Sequence, residues 1–421
     1  MKNKKAHIIN LGCRLNIYEG EIIKSLCKKN ELKNITIINS CAVTDGAEKK
    51  VLYEIRRAKR KNPSGKIIVT GCAAQINPDK FSQKNDVDIV LGNKEKLDEQ
   101  IWKNLKNINK INVKNIFENS NEQNHLIKEF EGKSRAYIEI QKGCDHRCTF
   151  CVIPFGRGNN KSIPVHNIIN QIKELVKNHY KEIVLTGVDI TDYGKDLKNS
   201  LNLFQLVKKI LKDVPNLKQL RLSSIDCGEI SDEFWPLLKE DRLMPYFHIS
   251  LQSGNNMILK RMKRRHTKEK AVEFFKKVRS LRENVVFGAD LIAGFPTENE
   301  EMFQDTIDLI KDCNLTHLHI FPYSKRPLTP AAHMPQIPKE IINKRALILR
   351  ELGNYNLNQY LKKQIGKFSN VLIEKVDNKT SFGKSQHFTK VEIDKKINIG
   401  SIIKCKIEKV ENNISKGSLN F

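Results

Sequence analysis

An α/β fold in three successive modules is predicted by three features of the sequence. Short β-branched runs alternate with helix-period segments near the start, the alternation resumes on a longer course through the middle, and the tail switches to short alternating strands. A chain of 421 residues is also too long for one compact core.

In the first module, residues 1–107, HIINLG (7–12), ITIINS (35–40), KIIVTG (66–71) and VDIVLG (87–92) read as buried strands, each followed by helix-forming sequence. Strands separated by helices build a parallel sheet with crossover connections. Residues 108–133 are polar, rich in Asn, Lys and Glu, show neither period, and read as a linker. The second module, 134–363, carries six strands: AYIEIQKG from Ala136, EIVLTG from Glu182, QLRLSS from Gln219, YFHISLQ from Tyr246, VVFGADLIAG from Val285 and HLHIFPYS from His317. This alternation predicts an open sheet or a partial (β/α) barrel, with ligand chemistry at the carboxyl ends of the strands. After a polar helix that begins near Pro338, FSNVLIEKV, FTKVEID and SIIKCKIEKV predict a small β-barrel over 364–421.

Lys and Arg outnumber Asp and Glu by 74 to 48, a formal charge of +26 that favours a polyanionic partner. Part of the excess reflects a Lys-, Asn- and Ile-heavy composition, so clustering is the better guide. One run holds Lys49, Lys50, Arg56, Arg57, Lys59, Arg60 and Lys61, another Lys260, Arg261, Lys263, Arg264, Arg265, Lys268 and Lys270. No stretch approaches the roughly 20 apolar residues of a spanning helix, and the start lacks the pattern of a secretory signal. A soluble, cytoplasmic protein without a membrane partner is expected. Ten cysteines in such a chain point to metal or catalytic use rather than disulfides.

The sharpest motif is CDHRCTFC, with Cys144, Cys148 and Cys151 in a loop directly after the strand AYIEIQKG. Three thiolates can hold three irons of a cubane cluster and leave the fourth iron open. Structural zinc normally takes four protein ligands, and although His146 lies inside the loop, no fourth ligand at a sensible distance completes that set. A second triplet is dispersed: Cys13, Cys41 and Cys72 each follow one of the first three strands. Strand ends of one parallel sheet lie side by side, so the three converge in space, flanked by Gly12, Ala42 and Gly71 that permit close approach. A lone free cysteine is usually a small core residue, and Cys27, Cys227, Cys313 and Cys405 are read that way.

The Cys-x3-Cys-x2-Cys spacing resembles that of the radical S-adenosylmethionine superfamily. With both triplets and the blocks NSCAVTDGAEKK, VTGCAAQ, CDHRCTFCVIPFGRG, LTGVDITDYG, HISLQSGNNMILKRMKRR, GADLIAGFPTENEE and FPYSKRPLTPAA, the chain resembles that superfamily's methylthiotransferases over its full length. The resemblance implies an N-terminal methylthiotransferase domain, a partial (β/α) radical barrel, a C-terminal TRAM β-barrel that binds RNA, and two 4Fe-4S clusters. It implies that S-adenosylmethionine is cleaved at the Cys144, Cys148 and Cys151 cluster to a 5′-deoxyadenosyl radical, while the Cys13, Cys41 and Cys72 cluster carries the sulfur. Further implied are a tRNA substrate, an electron donor such as a flavodoxin or ferredoxin, and a sulfur donor. CAVTDGAEKK followed by IRRAKRKNPSGKIIVTGCAAQ is most similar to the branch acting on threonylcarbamoyladenosine beside the anticodon. The isopentenyladenosine branch and one modifying a ribosomal-protein aspartate are the alternatives. Leu328, Asn159 and Lys161 depart from the family pattern.

Strand-end position offers further candidates. Phe150, Gly187, Asp189, Ser223, Ser224 and Gln252 are candidates for S-adenosylmethionine contacts, and Gly294 and Pro296 for the loop where adenine stacks; for the serines and Gln252, turn hydrogen bonding is the competing role. Arg157 and Lys161, just after the cluster loop, are candidates for a substrate phosphate or carboxylate. A rival of another class is a non-catalytic RNA-binding protein stapled by metal. It accounts for the charge and tail but leaves the open coordination position unexplained.

Overall fold

The computed structural model describes residues 5–118, 125–198 and 201–419. Its first sheet is parallel, in the order β1 (His7–Asn10), β2 (Ile35–Ser40), β3 (Lys66–Gly71), β4 (Ile89–Leu91) and β5 (Ile111–Asn112). The β-branched run of β2 is buried along its whole length, as a central strand covered on both faces requires. Helices Arg14–Lys29 and Asp45–Lys61 form the first crossovers, the second opened by Thr44, whose hydroxyl accepts the Ala47 N–H. The expected linker is a correction: Ile111–Asn112 pairs with β4 as the edge strand, and Ile127 and Phe130 are buried in the main core. Asn and Lys flanking a two-residue strand erase its period. Residues 119–124 of that stretch lie outside the described residues.

The central module pairs β6 (Ala136–Glu139), β9 (Glu182–Thr186) and β10 (Gln219–Leu222) in one parallel sheet, after the small antiparallel pair β7 (Gln141–Lys142) and β8 (Lys161–Ser162). A second parallel sheet holds β11 (Tyr246–Gln252), β12 (Val286–Ala293) and β13 (His317–Pro322). Single parallel bridges, Leu220 with Leu243 and Ile225 with Ile249, join the two into one arc open between β6 and β13. Helix Lys339–Lys362 packs across β12 and β13. Among the described residues no helix is long and apolar enough to cross a membrane.

The tail closes into a barrel of β14 (Phe368–Asp377), β15 (Thr380–Ser385), β16 (Lys390–Ile393), β18 (Ile414–Ser418) and β17 (Ile402–Glu411), in that order around the barrel. Val371, Ile373, Val391, Ile393, Ile407 and Cys405 fill it. It docks at the amino-terminal end of the central arc. The turn after β15 inserts Phe388, whose ring stacks on Tyr246 at 5.5 Å and lies 5.1 and 5.2 Å from the guanidinium carbons of Arg135 and Arg221. Glu182, fully buried, bridges Arg135 (2.7 Å) and Arg221 (2.9 Å), and Arg221 also donates to the carbonyls of Ser385 and Gln386, each at 2.9 Å.

Candidate active site

Between β7 and the helix Ile153–Arg157 runs the CDHRCTFC loop. It begins at Gly143, in the left-handed region at φ +66°, where a Cβ would fall on the Asn159 carbonyl. The Cys144 N–H donates to Gly158 O (3.1 Å), and Arg147 donates to Cys144 O and Asn159 Oδ1, both at 2.6 Å. His146 sits 2.6 Å from Asp192 and 3.3 Å from Asp189. Burial alone would lower its pKa, but the hydrogen bonds to these carboxylates more than offset that and raise it to about 9. Arg264 places Nη1 3.8 Å from Cys148 Sγ while donating to Asp226 (2.7 Å) and Ser250 O (2.6 Å). Burial pushes the Cys151 thiol up to about 12 and raises Cys144 as well, so these sulfurs stay protonated until a metal displaces the protons.

The dispersed triplet sits just past the carboxyl ends of the first three strands. Cys13 caps the helix Arg14–Lys29, Cys41 follows β2, and Cys72 opens the helix Cys72–Ile76 after β3. Gly12, at φ +92°, passes so close to Cys41 that a Cβ would lie 2.7 Å from the Cys41 Cβ. A Cβ on Gly71, at φ +93°, would lie 2.5 Å from the backbone nitrogen of Ser40. Burial first, then the neighbouring Cys72 and Cys13 thiols, lift the Cys41 thiol to about 11.

A cavity of about 200 Å³ separates the two triplets. It is lined by Cys151 and Phe150 from the loop, Val43 and Thr44 two and three residues past Cys41, Gln252 at the end of β11, Asp290 within β12, and Tyr323 and Ser324 after β13. Phe150 packs edge-on against Phe295, with ring centroids 6.5 Å apart. Gln252 holds φ +70° at a register shift in β11, an uncommon conformation for a side chain of its type. The N-terminal module closes one side of this space: Ser324 accepts from the Asp45 N–H (3.1 Å) and Arg326 pairs with Glu48 (2.6 Å).

Other candidates are placed differently. Gly187 is required by Gln141, whose side-chain oxygen would lie 2.7 Å from a Cβ and accepts the Val188 and Asp189 N–H groups. Asp189 is engaged by His146 and by Arg265 at 3.2 Å. Ser223 is buried, and Ser224 shares a 2.8 Å hydrogen bond with Ser250. Gly294, at φ +72°, abuts Ile342 of the long helix, while the Pro296 carbonyl accepts the Thr297 hydroxyl. Two arginines of the second basic run turn inward, Arg264 to Asp226 and Arg265 to Glu229, while Arg261 donates to Thr297.

Arg157 is a correction. Its side chain is 3% exposed and points away from the 200 Å³ cavity, into the N-terminal module, where it donates to Glu19 (2.9 and 3.0 Å) and Asn16 (2.8 Å). Both terminal nitrogens of the guanidinium are thus committed to partners within the chain rather than to a substrate phosphate. Lys161 lies in β8 and lines a separate space of about 110 Å³ together with Arg157, Glu19 and Asn93. Sequence reasoning also missed a polar group inside the arc. Asp290 Oδ1 accepts from His248 Nε2 (2.9 Å) and His319 Nδ1 (3.2 Å), and the Tyr246 hydroxyl lies 2.9 Å from His248 Nδ1. The signal was available: a His and an Asp within the apolar runs HISLQ and GADLIAG are polar residues that a buried strand carries only with partners.

Residues 138–310 match the radical SAM superfamily, and residues 5–92 match a family described as uncharacterized protein family UPF0004. The chain is 48% identical over 415 residues to the threonylcarbamoyladenosine tRNA methylthiotransferase of Rickettsia prowazekii, covering 98% of this chain and 97% of that one. It is 35% identical over 380 residues to the Aquifex aeolicus enzyme of the same name (86% and 91% covered). Identity to the tRNA-2-methylthio-N(6)-dimethylallyladenosine synthase of a Thermoanaerobacter species is 33% over 401 residues (90% and 84% covered). In architecture the chain is similar to a radical S-adenosylmethionine methyltransferase of Kitasatospora setae, with a TM-score of 0.54 at 11% identity over 78% of this chain and 77% of that one.

Proposed function

The chain belongs to the radical S-adenosylmethionine methylthiotransferases that act on threonylcarbamoyladenosine in tRNA, and from that membership we propose how its residues divide the work. Cys144, Cys148 and Cys151 hold the 4Fe-4S cluster that binds S-adenosylmethionine, and Cys13, Cys41 and Cys72 hold a second one that anchors the sulfur. When bound, the first cluster supplies the electron that cleaves S-adenosylmethionine and so makes the radical that attacks the substrate C–H bond.

The observation that carries this reading is the cavity with Cys151 on one wall and the Cys41 loop on another, a space in which one base can meet both groups. Sulfur spacing supports clusters over zinc. The cysteine, histidine and carboxylate groups of the described residues whose ligand atoms all lie within 4.8 Å of one another include neither triplet. Zinc at about 2.3 Å from each thiolate draws its sulfurs to within about 4 Å of one another, whereas a cubane spreads three thiolates over three corners.

Within this division Phe150 and Gln252 border the S-adenosylmethionine site, and Gly187, Asp189, Ser223 and Gly294 shape the loops around it. Asp290, held by two imidazoles, presents a fixed carboxylate to the base. Burial opposes its charge, and His248 and His319 outweigh burial to hold it below the usual range, so it acts as a hydrogen-bond acceptor. The closed tail barrel is a TRAM-like domain, the first module extends through the edge strand Ile111–Asn112, the later modules divide near 133 and 363, and Lys161 remains a candidate for a substrate anion. The enzyme works in the cytoplasm, where its tRNA is, with a flavodoxin- or ferredoxin-like electron donor and a separate sulfur donor. Anaerobic reconstitution tests the division: about eight irons per chain are expected, and four or fewer, or tetrahedral zinc without visible charge-transfer absorption, would overturn it.

A further inference from the structure

Beneath the N-terminal triplet lies a buried charge group that the transfer reaction does not by itself explain. Lys96 and Glu19 pair at 2.6 Å and Arg157 pairs with Glu19 at 2.9 Å; their side chains are 0%, 2% and 3% exposed. Around them stand neutral partners, Asn16 on Arg157 and Asn39 on Lys96. Two cations and one carboxylate leave one net positive charge, bordered on one side by the space of about 110 Å³ that Glu19 and Arg157 line. Burying an unbalanced charge is costly, and burial lowers the Lys96 pKa for that reason, so an anion placed nearby offsets the cost.

The groups around Arg157 identify that anion. Asn16, which accepts from Arg157, also donates to Leu11 O (2.5 Å) and Ser40 O (3.0 Å), the carbonyls just before the loops that carry Cys13 and Cys41. A 4Fe-4S core in its two-plus state held by three thiolates carries one net negative charge before it takes up the sulfur, and more once the sulfur is bound, so the buried surplus lies opposite an anion in either state. The linkage also crosses modules. Arg157 ends the helix Ile153–Arg157 that leaves the CDHRCTFC loop, and Gly156 in that helix packs so closely on Cys72 that a Cβ would lie 3.1 Å from the Cys72 Cβ. Asn93 ties the two together, its side-chain nitrogen 2.5 Å from Gly156 O and 3.7 Å from Cys72 Sγ.

We propose that Arg157 is a positioning residue for the N-terminal cluster: a cation, supplied by the radical module and oriented by Glu19, that stabilises the reduced, more negative state of the group held by Cys13, Cys41 and Cys72. Charge close to a cluster in a low-dielectric setting is among the levers that set its reduction potential. Removing the cation makes reduction harder, and removing the carboxylate makes it easier. The inference rests on the N-terminal triplet holding a cluster.

The test uses the full-length chain with Cys144, Cys148 and Cys151 all changed to Ala, so that only the N-terminal site can load. Iron content is measured after anaerobic reconstitution, and the midpoint potential is read by electron paramagnetic resonance during a reductive titration. Added to this background, Arg157→Gln is expected to shift the potential to more negative values and Arg157→Lys to lie between. Glu19→Gln is expected to shift it the opposite way, a reversal that mere loosening of the packing would not produce. If the background chain binds no iron, the cluster reading falls and this proposal with it. If it binds iron but Arg157→Gln leaves the potential unchanged, the proposal alone falls. Should Arg157→Gln fail to fold, Glu19→Gln decides, and no positive shift overturns the proposal.

Discussion

Changing Cys148 to Ala leaves two thiolates in the radical loop, and loss of detectable 5′-deoxyadenosine from S-adenosylmethionine plus dithionite is the expected result. Changing Cys41 to Ala leaves that loop intact, so deoxyadenosine should still form while the methylthio nucleoside disappears. Chromatography of both products from the two variants checks the assignment, and normal methylthio product from the Cys41 variant would contradict it. The first triplet was legible because its spacing is local. The second was legible only through topology, as three cysteines at successive strand ends. Arg157 was misread because two residues may be neighbours in sequence and still face opposite modules; nothing before the fold shows that Ile153–Arg157 turns toward Glu19. Glu19, Lys96, Asp290 and His248 escaped for a related reason, since each acquires its partner from a distant element.

Among elements, the turn after β15 has the clearest consequence. The tail reads in sequence as a detachable module, but Phe388, Arg135, Arg221 and Glu182 interlock it with the base of the central arc. Glu182→Ala would leave two buried guanidiniums facing each other, and a loss of about 3–5 kcal/mol in urea unfolding is expected. Deleting the chain from Phe368 onward should likewise impair folding of the central module as well as tRNA binding. A soluble truncated chain with unchanged stability would show that the docking contributes nothing. Lys384 adds a pH signature. Its pKa is lowered to about 8, first by burial and then by repulsion from Arg135. A cation with a depressed folded-state pKa opposes folding fully below about pH 8, and stability recovers as pH rises toward the ordinary value of 10.5. Lys384→Met should therefore melt higher than the parent at pH 7, with the gap narrowing by about pH 9.5; a gap independent of pH would refute this. Strands β15 and β18 were hidden in the sequence because Ser381, Gly383, Ser385 and Ser415 occupy inward positions where apolar residues would mark the period, and β5 and β8 by their brevity, whereas apolar runs announced the six strands of the central arc.

At the scale of the whole molecule, the charge of +26 is distributed unevenly around the cavity. Helix Asp45–Lys61 starts beside Ser324 and exposes Lys49, Lys50, Arg56, Arg60 and Lys61, a basic face leading away from the cavity between the two triplets. If Arg56 and Arg60 each meet a phosphate, changing both to Gln should weaken tRNA binding and lower the slope of log affinity against log salt by about 1.5–2. An unchanged slope would place the tRNA elsewhere. The central claim is that the three modules together put a methylthio group on threonylcarbamoyladenosine. Mass spectrometry of tRNA nucleosides from a host that lacks this activity, with and without the gene, tests it most directly. The 2-methylthio form of threonylcarbamoyladenosine is expected only when the gene is present. Appearance of methylthio-isopentenyladenosine instead, or of no methylthio nucleoside from a cluster-loaded protein, would contradict it.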